Sequence, residues 1–170
     1  QRKLECGMST LEVKAIQAPT GYDLQMPAGH IVQTVSADIG ALTSTTSTSF
    51  VDTNASISIT PQFASSKIMV TFTFAMAIWG QARARGGYQL LRGSTVISGG
   101  ANEVIQIREV SGSSQEVTLP ICLSYVDSPN TTSSTTYKIQ ICATSSGGNA
   151  QLIGQSNTRP GHMILQEVAG

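Results

Sequence analysis

A two-residue alternation across residues 67–79 is the feature that most constrains how this chain can fold. The odd positions are mostly small or polar, whereas the even positions are all apolar: Ile68, Val70, Phe72, Phe74, Met76 and Ile78. Because successive side chains of a strand point to opposite faces, this spacing predicts one long strand with one face in a hydrophobic core. The chain shows no comparable stretch with the 3.6-residue period of an amphipathic helix. The sequence therefore predicts an all-β protein.

The same alternation recurs along the chain and predicts many further strands. It is clear over residues 117–125 and 137–143, and less regular over residues 104–110. Shorter candidate strands fall at residues 30–35, 43–50, 56–60, 88–91, 95–98, 151–153 and 163–168. Turn-forming Gly, Pro, Asn and Asp residues lie between these runs. Chain length and strand count favour an antiparallel, jelly-roll-like β-sandwich of about eight strands over a seven-stranded immunoglobulin-like sandwich.

Two local features predict how these strands are arranged. Residues 27–33 (PAGHIVQ) are similar to residues 159–166 (RPGHMILQ), which predicts that the first and last strands lie side by side. A chance match over so few residues is the alternative. Pro120 interrupts a strand pattern and predicts a sheet edge or a bulge, because proline has no backbone N–H to donate.

The N-terminal segment differs from the rest of the chain. Residues 10–17 (TLEVKAIQ) can form one short strand, and residues 18–21 (APTG) then break it. A segment of this length has no core of its own, so it must lie on a neighbour or stay disordered. We predict an extended N-terminal attachment arm at residues 1–27 and a β-sandwich domain at residues 28–170.

The charge balance bears on the partners of the chain. Charged residues make up only 12% of the sequence, and ten basic and ten acidic residues cancel, whereas soluble proteins average about 25%. A monomer with so little charge is poorly protected against self-association. We therefore expect part of its surface to be buried against other copies of the chain. A monomer kept soluble by its Ser and Thr hydroxyls is the alternative. The chain lacks the basic stripe of a nucleic-acid binder, and its most apolar stretch, residues 68–80, is too short to span a bilayer.

The residue types that carry chemistry form no catalytic pattern. The sequence contains no GxSxG, HExxH, P-loop or GxGxxG motif. His30 and His162 fall near predicted strand starts, where a structural role is favoured over a shared metal site. Three cysteines without a CxxC pair predict free thiols, although Cys122 and Cys142 would be close if their strands were neighbours. We expect no enzyme activity, no cofactor and no metal.

The segment 79–88 (WGQARARGGY) is the best candidate contact loop. It contains Trp79, which is the only tryptophan of the chain, together with Arg83, Arg85 and Tyr88. Trp, Tyr and Arg are enriched at binding hot spots. The segment therefore predicts contact with a partner subunit or with a sugar, and a hairpin loop whose Trp79 packs on the domain edge is the structural alternative.

Several stretches resemble small virion proteins of tailed bacteriophages, in particular their fibre and decoration modules. The resembling stretches are residues 9–17 with 19–21, the Thr/Ser tract 43–49, residues 56–61 (SISITP), residues 65–70 (SSKIMV) and residues 161–167 (GHMILQE). The resemblance implies a jelly-roll-like homotrimer in the virion, with an N-terminal arm that docks to capsid or tail proteins. Leu11, Val13, Ile16 and Pro19 are then the docking residues of the arm.

The resemblance also narrows the expected function. We expect a non-enzymatic capsid decoration or short fibre module, because the chain is short for a host-range tail fibre and has no long shaft. A tail-fibre module, or a carbohydrate-binding module that recognises a host surface glycan through residues 79–88, is the alternative function.

Overall fold

The structure, a computed structural model, describes residues 27–80, 84–99, 105–106, 115–143, 149–153 and 161–170. Within these residues the chain forms eleven β-strands and no helix, which confirms the predicted all-β class. The predicted arm lies outside the described residues, apart from Pro27. The strands are β1 (Ile31–Asp38), β2 (Thr43–Thr45), β3 (Val51–Ile59), β4 (Lys67–Gly80), β5 (Arg85–Arg92), β6 (Thr95–Gly99), β7 (Ile105–Gln106), β8 (Gln115–Asp127), β9 (Thr135–Ala143), β10 (Asn149–Ile153) and β11 (His162–Val168).

The strands form two antiparallel sheets. In sheet I, β8 pairs with one edge of β4 along its whole length, while β11 and β10 share the other edge. The outermost positions beyond β11 and β10 are taken by β1 and β2. In sheet II, the order is β3, β9 and β5, and β6 and β7 share the far edge of β5. Each sheet is therefore four strand positions wide.

The pairing order is that of a jelly roll. Three pairs of strands each occupy one position in a sheet: β1 with β2, β6 with β7, and β10 with β11. With each pair counted once, the chain has eight strand positions. The first pairs with the last (β1 with β11), the second with the seventh (β3 with β9), the third with the sixth (β4 with β8) and the fourth with the fifth (β5 with β6). This is a long hairpin rolled so that alternate pairs lie in different sheets. The predicted jelly-roll-like sandwich is confirmed, as is the pairing of the first and last strands.

The core lies between the sheets and contains the apolar sides of the alternating strands. The even-numbered residues of β4 from Ile68 to Ile78 are all buried, and Tyr137, Ile139 and Ile141 of β9 face them from sheet II. Phe74 meets Tyr88 edge to face, with ring centroids 5.7 Å apart. The sheets approach so closely at Gly86 that an added Cβ would collide with the side chain of Ile78. The periodicity of β4 thus sets which residues form the core.

Two predicted strands differ from the structure at their ends. The run 43–50 was expected to be one strand, but only Thr43–Thr45 is extended and paired. Beyond it, the Thr45 hydroxyl accepts a hydrogen bond from the Ser47 N–H, and the Ser47 hydroxyl bonds to the backbone of Ser49. Such local side-chain bonds compete with strand pairing. The strand predicted at residues 56–60 begins earlier, at Val51, and crosses a register shift between Asp52 and Ser56.

A buried polar cluster joins the two sheets at one end of the sandwich. Asp127, at the end of β8, is 7% exposed and accepts two hydrogen bonds of 2.9 Å from Arg92 of β5. It also accepts a 2.7 Å bond from the hydroxyl of Tyr137 on β9. Burial raises the pKa of the Tyr137 phenol, and the bond to Asp127 raises it further. One carboxylate therefore connects sheet I to two strands of sheet II.

Removing this carboxylate should destabilise the fold, because it leaves a guanidinium and a buried hydroxyl without their acceptor. We expect Asp127→Ala to lower the free energy of unfolding by about 2–3 kcal/mol and Tyr137→Phe by about 1 kcal/mol, measured by urea denaturation. The exposed Asp52→Ala is the control and should cost under about 1 kcal/mol. Equal losses for Asp127→Ala and Asp52→Ala would contradict the role of the cluster.

Candidate assembly surface

The outer face of sheet II is polar and internally bonded along β3 and the adjoining part of β9, whereas the outward residues Leu91 of β5 and Cys142 of β9 are buried. Lys138 of β9 donates a 2.9 Å hydrogen bond to Asp52 of β3, and Gln140 donates one of 2.8 Å to the same carboxylate. Gln89 of β5 donates to the Gln140 carbonyl oxygen at 2.6 Å. The bonds from Lys138 and Gln140 lower the pKa of Asp52. This face satisfies its polar groups across three strands within one chain.

The outer face of sheet I, hereafter the sheet I face, has a different composition. Its rows follow from the strand register, which aligns the outward residues of β1, β11, β4 and β8. The rows are Thr34-Gln166-Met69-Val126, Ser36-Ile164-Thr71-Ser124 and Asp38-His162-Thr73-Cys122. Where β10 and β2 replace β11 and β1 beside β4, the rows continue with the β4–β8 pairs Ala75-Pro120, Ala77-Thr118 and Trp79-Glu116. Small, hydroxyl-bearing and apolar side chains predominate in these rows.

Charges on the sheet I face are confined to its margins. Glu116 lies in the last row, Asp38 lies on the edge strand β1 beside His162, and Lys67 lies beyond the first row. Between them, β4 and β8 present five uncharged pairs, from Met69-Val126 to Ala77-Thr118. Val126 is 54% exposed and Met69 is 38% exposed. Burying this area would desolvate few charges, which is the property expected of an interface centre.

The dimensions of the sheet I face suit a protein partner. Strands spaced about 4.8 Å apart, with outward rows about 6.8 Å apart, give roughly 600 Å² for four strands and five rows. A standard protein interface buries about 800 Å² on each partner. A flat sheet with small central side chains can pack closely against another flat surface, as sheets do inside sandwiches. The geometry thus favours a macromolecular contact over a small-molecule site.

The residues of the predicted contact loop do not share one surface. Trp79 is 50% exposed and points outward in the last row of the sheet I face. Tyr88 points inward, between the sheets, where its ring packs on Phe74. Arg83 lies outside the described residues, and Arg85 begins β5 in sheet II. Trp79 therefore belongs to the sheet I face, while Tyr88 contributes to the core.

The histidines and cysteines considered from the sequence are also separated. The β1–β11 register places His162 beside Asp38, with 2.9 Å between Nδ1 and Oδ1, whereas His30 lies at the other end of β1 beside Ala169. Cys122 is exposed on sheet I, and Cys142 is buried on sheet II. Among the described residues, no three His, Cys, Asp or Glu side chains cluster as metal ligands. No helix in this part of the chain is long and apolar enough to cross a membrane.

Sequence reasoning missed the buried carboxylate of Glu167, which is inaccessible to solvent. It accepts hydrogen bonds from the Gln33 side chain at 2.6 Å and from the N–H groups of Gln62 and Phe63 at 2.8 and 3.1 Å. Burial alone would raise the pKa of Glu167, but these donors outweigh burial and hold it below the usual value. The sequence pattern that could have identified Glu167 is an acidic residue at an inward position of an alternating strand, and the same pattern occurs at Asp127. Both carboxylates are fully used in structural bonds.

No protein-family model matches the chain, and no curated protein matches it significantly. Among solved structures, it is similar to that of infectious bursal disease virus Gt strain, with a TM-score of 0.41 and 12% identity over 93% of this chain and 43% of that one. The T=1 particles derived from infectious bursal virus give a TM-score of 0.37 and 12% identity over 93% and 41%. The chain spans less than half the length of these proteins, and the jelly roll is assigned from its own strand order.

The bonds to Glu167 should make stability depend on pH. Because the folded pKa lies below the unfolded value of about 4.3, the carboxylate stabilises the fold above that value and loses its contribution as pH falls through the folded pKa. We expect Glu167→Gln to lower the free energy of unfolding by about 1–2 kcal/mol at pH 7. The difference in the free energy of unfolding between this variant and the unaltered protein should narrow below about pH 4, measured by denaturation from pH 7 to pH 3. A gap that stays constant to pH 3 would contradict this assignment.

Proposed function

We propose that this chain is a non-enzymatic virion structural protein, a capsid-attached decoration or short fibre module that trimerises and docks through its N-terminal arm. The observation that carries the proposal is the sheet I face, which is broad and uncharged at its centre. Interface centres are depleted of charged residues, so this surface can be buried at low desolvation cost. The low charge of the whole chain supports the same conclusion.

Three copies meeting around a threefold axis would bury the sheet I face, because a homo-oligomer with closed symmetry covers the same patch on every subunit. The β3 side of the outer face of sheet II has exposed polar residues that satisfy their own hydrogen bonds, and it can remain in water. In the proposal the sheet I face serves association, and this part of sheet II faces solvent. The arm supplies the attachment to other virion proteins, through Leu11, Val13, Ile16 and Pro19.

The resemblance to phage fibre and decoration modules supports a location in the virion. The buried carboxylates of the described residues are engaged in structural bonds, which supports a role without catalysis. The proposal includes no cofactor and no nucleic-acid ligand.

A charge placed in the centre of the sheet I face tests the association. We expect Ala75→Arg to reduce the mass of the native protein in solution from trimer to monomer, measured by light scattering, because each contact would bury an unpaired guanidinium. Ser58→Arg, on an exposed position of sheet II, is the matched control and should leave the mass unchanged. A chain that is already monomeric, or an Ala75→Arg variant that stays trimeric, would overturn this part of the proposal.

Deleting residues 1–26 tests the docking. We expect the shortened chain to retain its unfolding transition and its trimeric mass, because the described residues form a hydrophobic core between the two sheets. It should no longer join the particle, measured by co-sedimentation with particles that lack the native protein. Normal incorporation of the shortened chain would exclude docking through the arm.

A further inference from the structure

The free edges of the two sheets differ in how well they are protected. Natural proteins blunt exposed strand edges with bulges, short strands, charges or proline, since an unprotected edge can pair with another chain. At the described edges, β2 has three residues and β6 has five, while β1 and β3 each contain a register shift. By contrast, β8 has thirteen residues and pairs with β4 without any irregularity. Among the described strands, β8 is the long, regular edge.

Pro120 divides β8 into a protected and an unprotected half. Proline has no N–H to donate, so it is compatible with regular pairing where its nitrogen points away from the neighbouring strand. Pro120 therefore indicates that the even-numbered residues of β8 direct their backbone N–H and C=O groups away from β4. Beyond Pro120, these residues are Cys122, Ser124 and Val126, all of them exposed. None of the three is charged or a proline. Among the described residues no strand pairs with this side of β8, so this half presents three N–H groups and three carbonyls to an incoming strand.

The inward side of β8 is incompletely covered. Leu119 points toward the interior, opposite the buried Met76, and is nevertheless 43% exposed. Ile121 and Tyr125, on the same side, are only half-buried, whereas Leu123 between them is buried. The sandwich is therefore open along this edge. A strand added beside β8 could cover these apolar side chains with apolar side chains of its own.

The chain itself contains a segment with the required pattern. In residues 10–17, Leu11, Val13 and Ala15 alternate with Glu12, Lys14 and Ile16. Paired with β8, this segment would place Leu11, Val13 and Ala15 over the open interior, and Glu12, Lys14 and Ile16 on the outer side of the sheet. Residues 18–26 link it to the body and can span about 30 Å when extended. The distance from β1 across sheet I to β8 is about 14 Å, so reach does not limit the pairing.

Strand direction along the shortest path favours a second copy as the donor. The arm joins the body beside Ile31, at the same end of sheet I as Asp127, where β8 finishes. An arm that reached β8 of its own copy by the direct route would run parallel to β8. Every pairing in the described sheets is antiparallel, and antiparallel pairing is slightly more stable. An arm from another copy can approach from the opposite end and pair antiparallel.

We infer that the Ile121–Asp127 half of β8 is an acceptor edge that binds residues 10–17 of a second copy as an added strand. This rests on the proposed function in one respect, that the arm binds a protein surface outside its own sandwich. It adds a contact between copies, beyond the trimer, to the docking on other virion proteins. Main-chain hydrogen bonds would give affinity, and the open apolar interior would give specificity for the alternating segment.

The test uses the full-length chain with either the edge or the arm altered. Ser124→Pro removes an N–H that points off the sheet, and Ser124→Ala keeps that N–H as the matched control. The arm variant carries Leu11→Asp and Val13→Asp. We expect Ser124→Pro and the arm variant each to weaken arm-mediated association about tenfold or more, measured by sedimentation equilibrium, with Ser124→Ala unchanged. If Ser124→Pro fails to unfold cooperatively, Val126→Pro replaces it.

Mixing the two variants distinguishes exchange between copies from docking within one copy. The Ser124→Pro chain has an intact arm, and the arm variant has an intact edge, so association between them should return to within about threefold of the unaltered protein. No recovery on mixing, or unchanged association of either variant alone, would overturn the inference. Loss of trimer in Ala75→Arg with normal association in Ser124→Pro would uphold the proposed function and reject the acceptor edge.

Discussion

Strand β4 is the element on which the rest of the sandwich depends, because three other strands pair with it directly. It receives β8 along one edge and β11 and β10 along the other. Its even-numbered side chains form the centre of the core, and its odd-numbered side chains form the centre of the sheet I face. A shift of one residue in its register would exchange these two sets and expose the core.

Two buried carboxylates connect one part of the sandwich to another. Asp127 joins β8 to Arg92 and Tyr137 of the opposite sheet, and Glu167 joins β11 to Gln33 and to the loop after β3. Each carboxylate has several donors, so its burial is compensated. These clusters fix how the sheets and loops are joined, a property that the apolar contacts alone specify less sharply.

Most of the fold could be predicted from the sequence, but the candidate site could be predicted only in part. The alternation of β4, β8 and β9 identified strands, core positions and sandwich class. The contact loop was inferred from residue types around Trp79 and Tyr88, yet these side chains point to different parts of the molecule. The reason is that β4 and β5 belong to different sheets, so the inward side of one faces the inward side of the other. Trp79 and Tyr88 are close in sequence but do not belong to one surface of the folded protein.

The sequence by itself determined the strand class, the buried face of the regularly alternating strands and the choice of an edge or a bulge at Pro120, because these follow from local periodicity and from the missing N–H of proline. Only the tertiary structure decided which strands are neighbours. That arrangement assembled the uncharged rows of the sheet I face from β1, β11, β4 and β8, and left the second half of β8 as an open edge. Residues far apart in sequence become neighbours through long-range pairing, which local patterns do not encode.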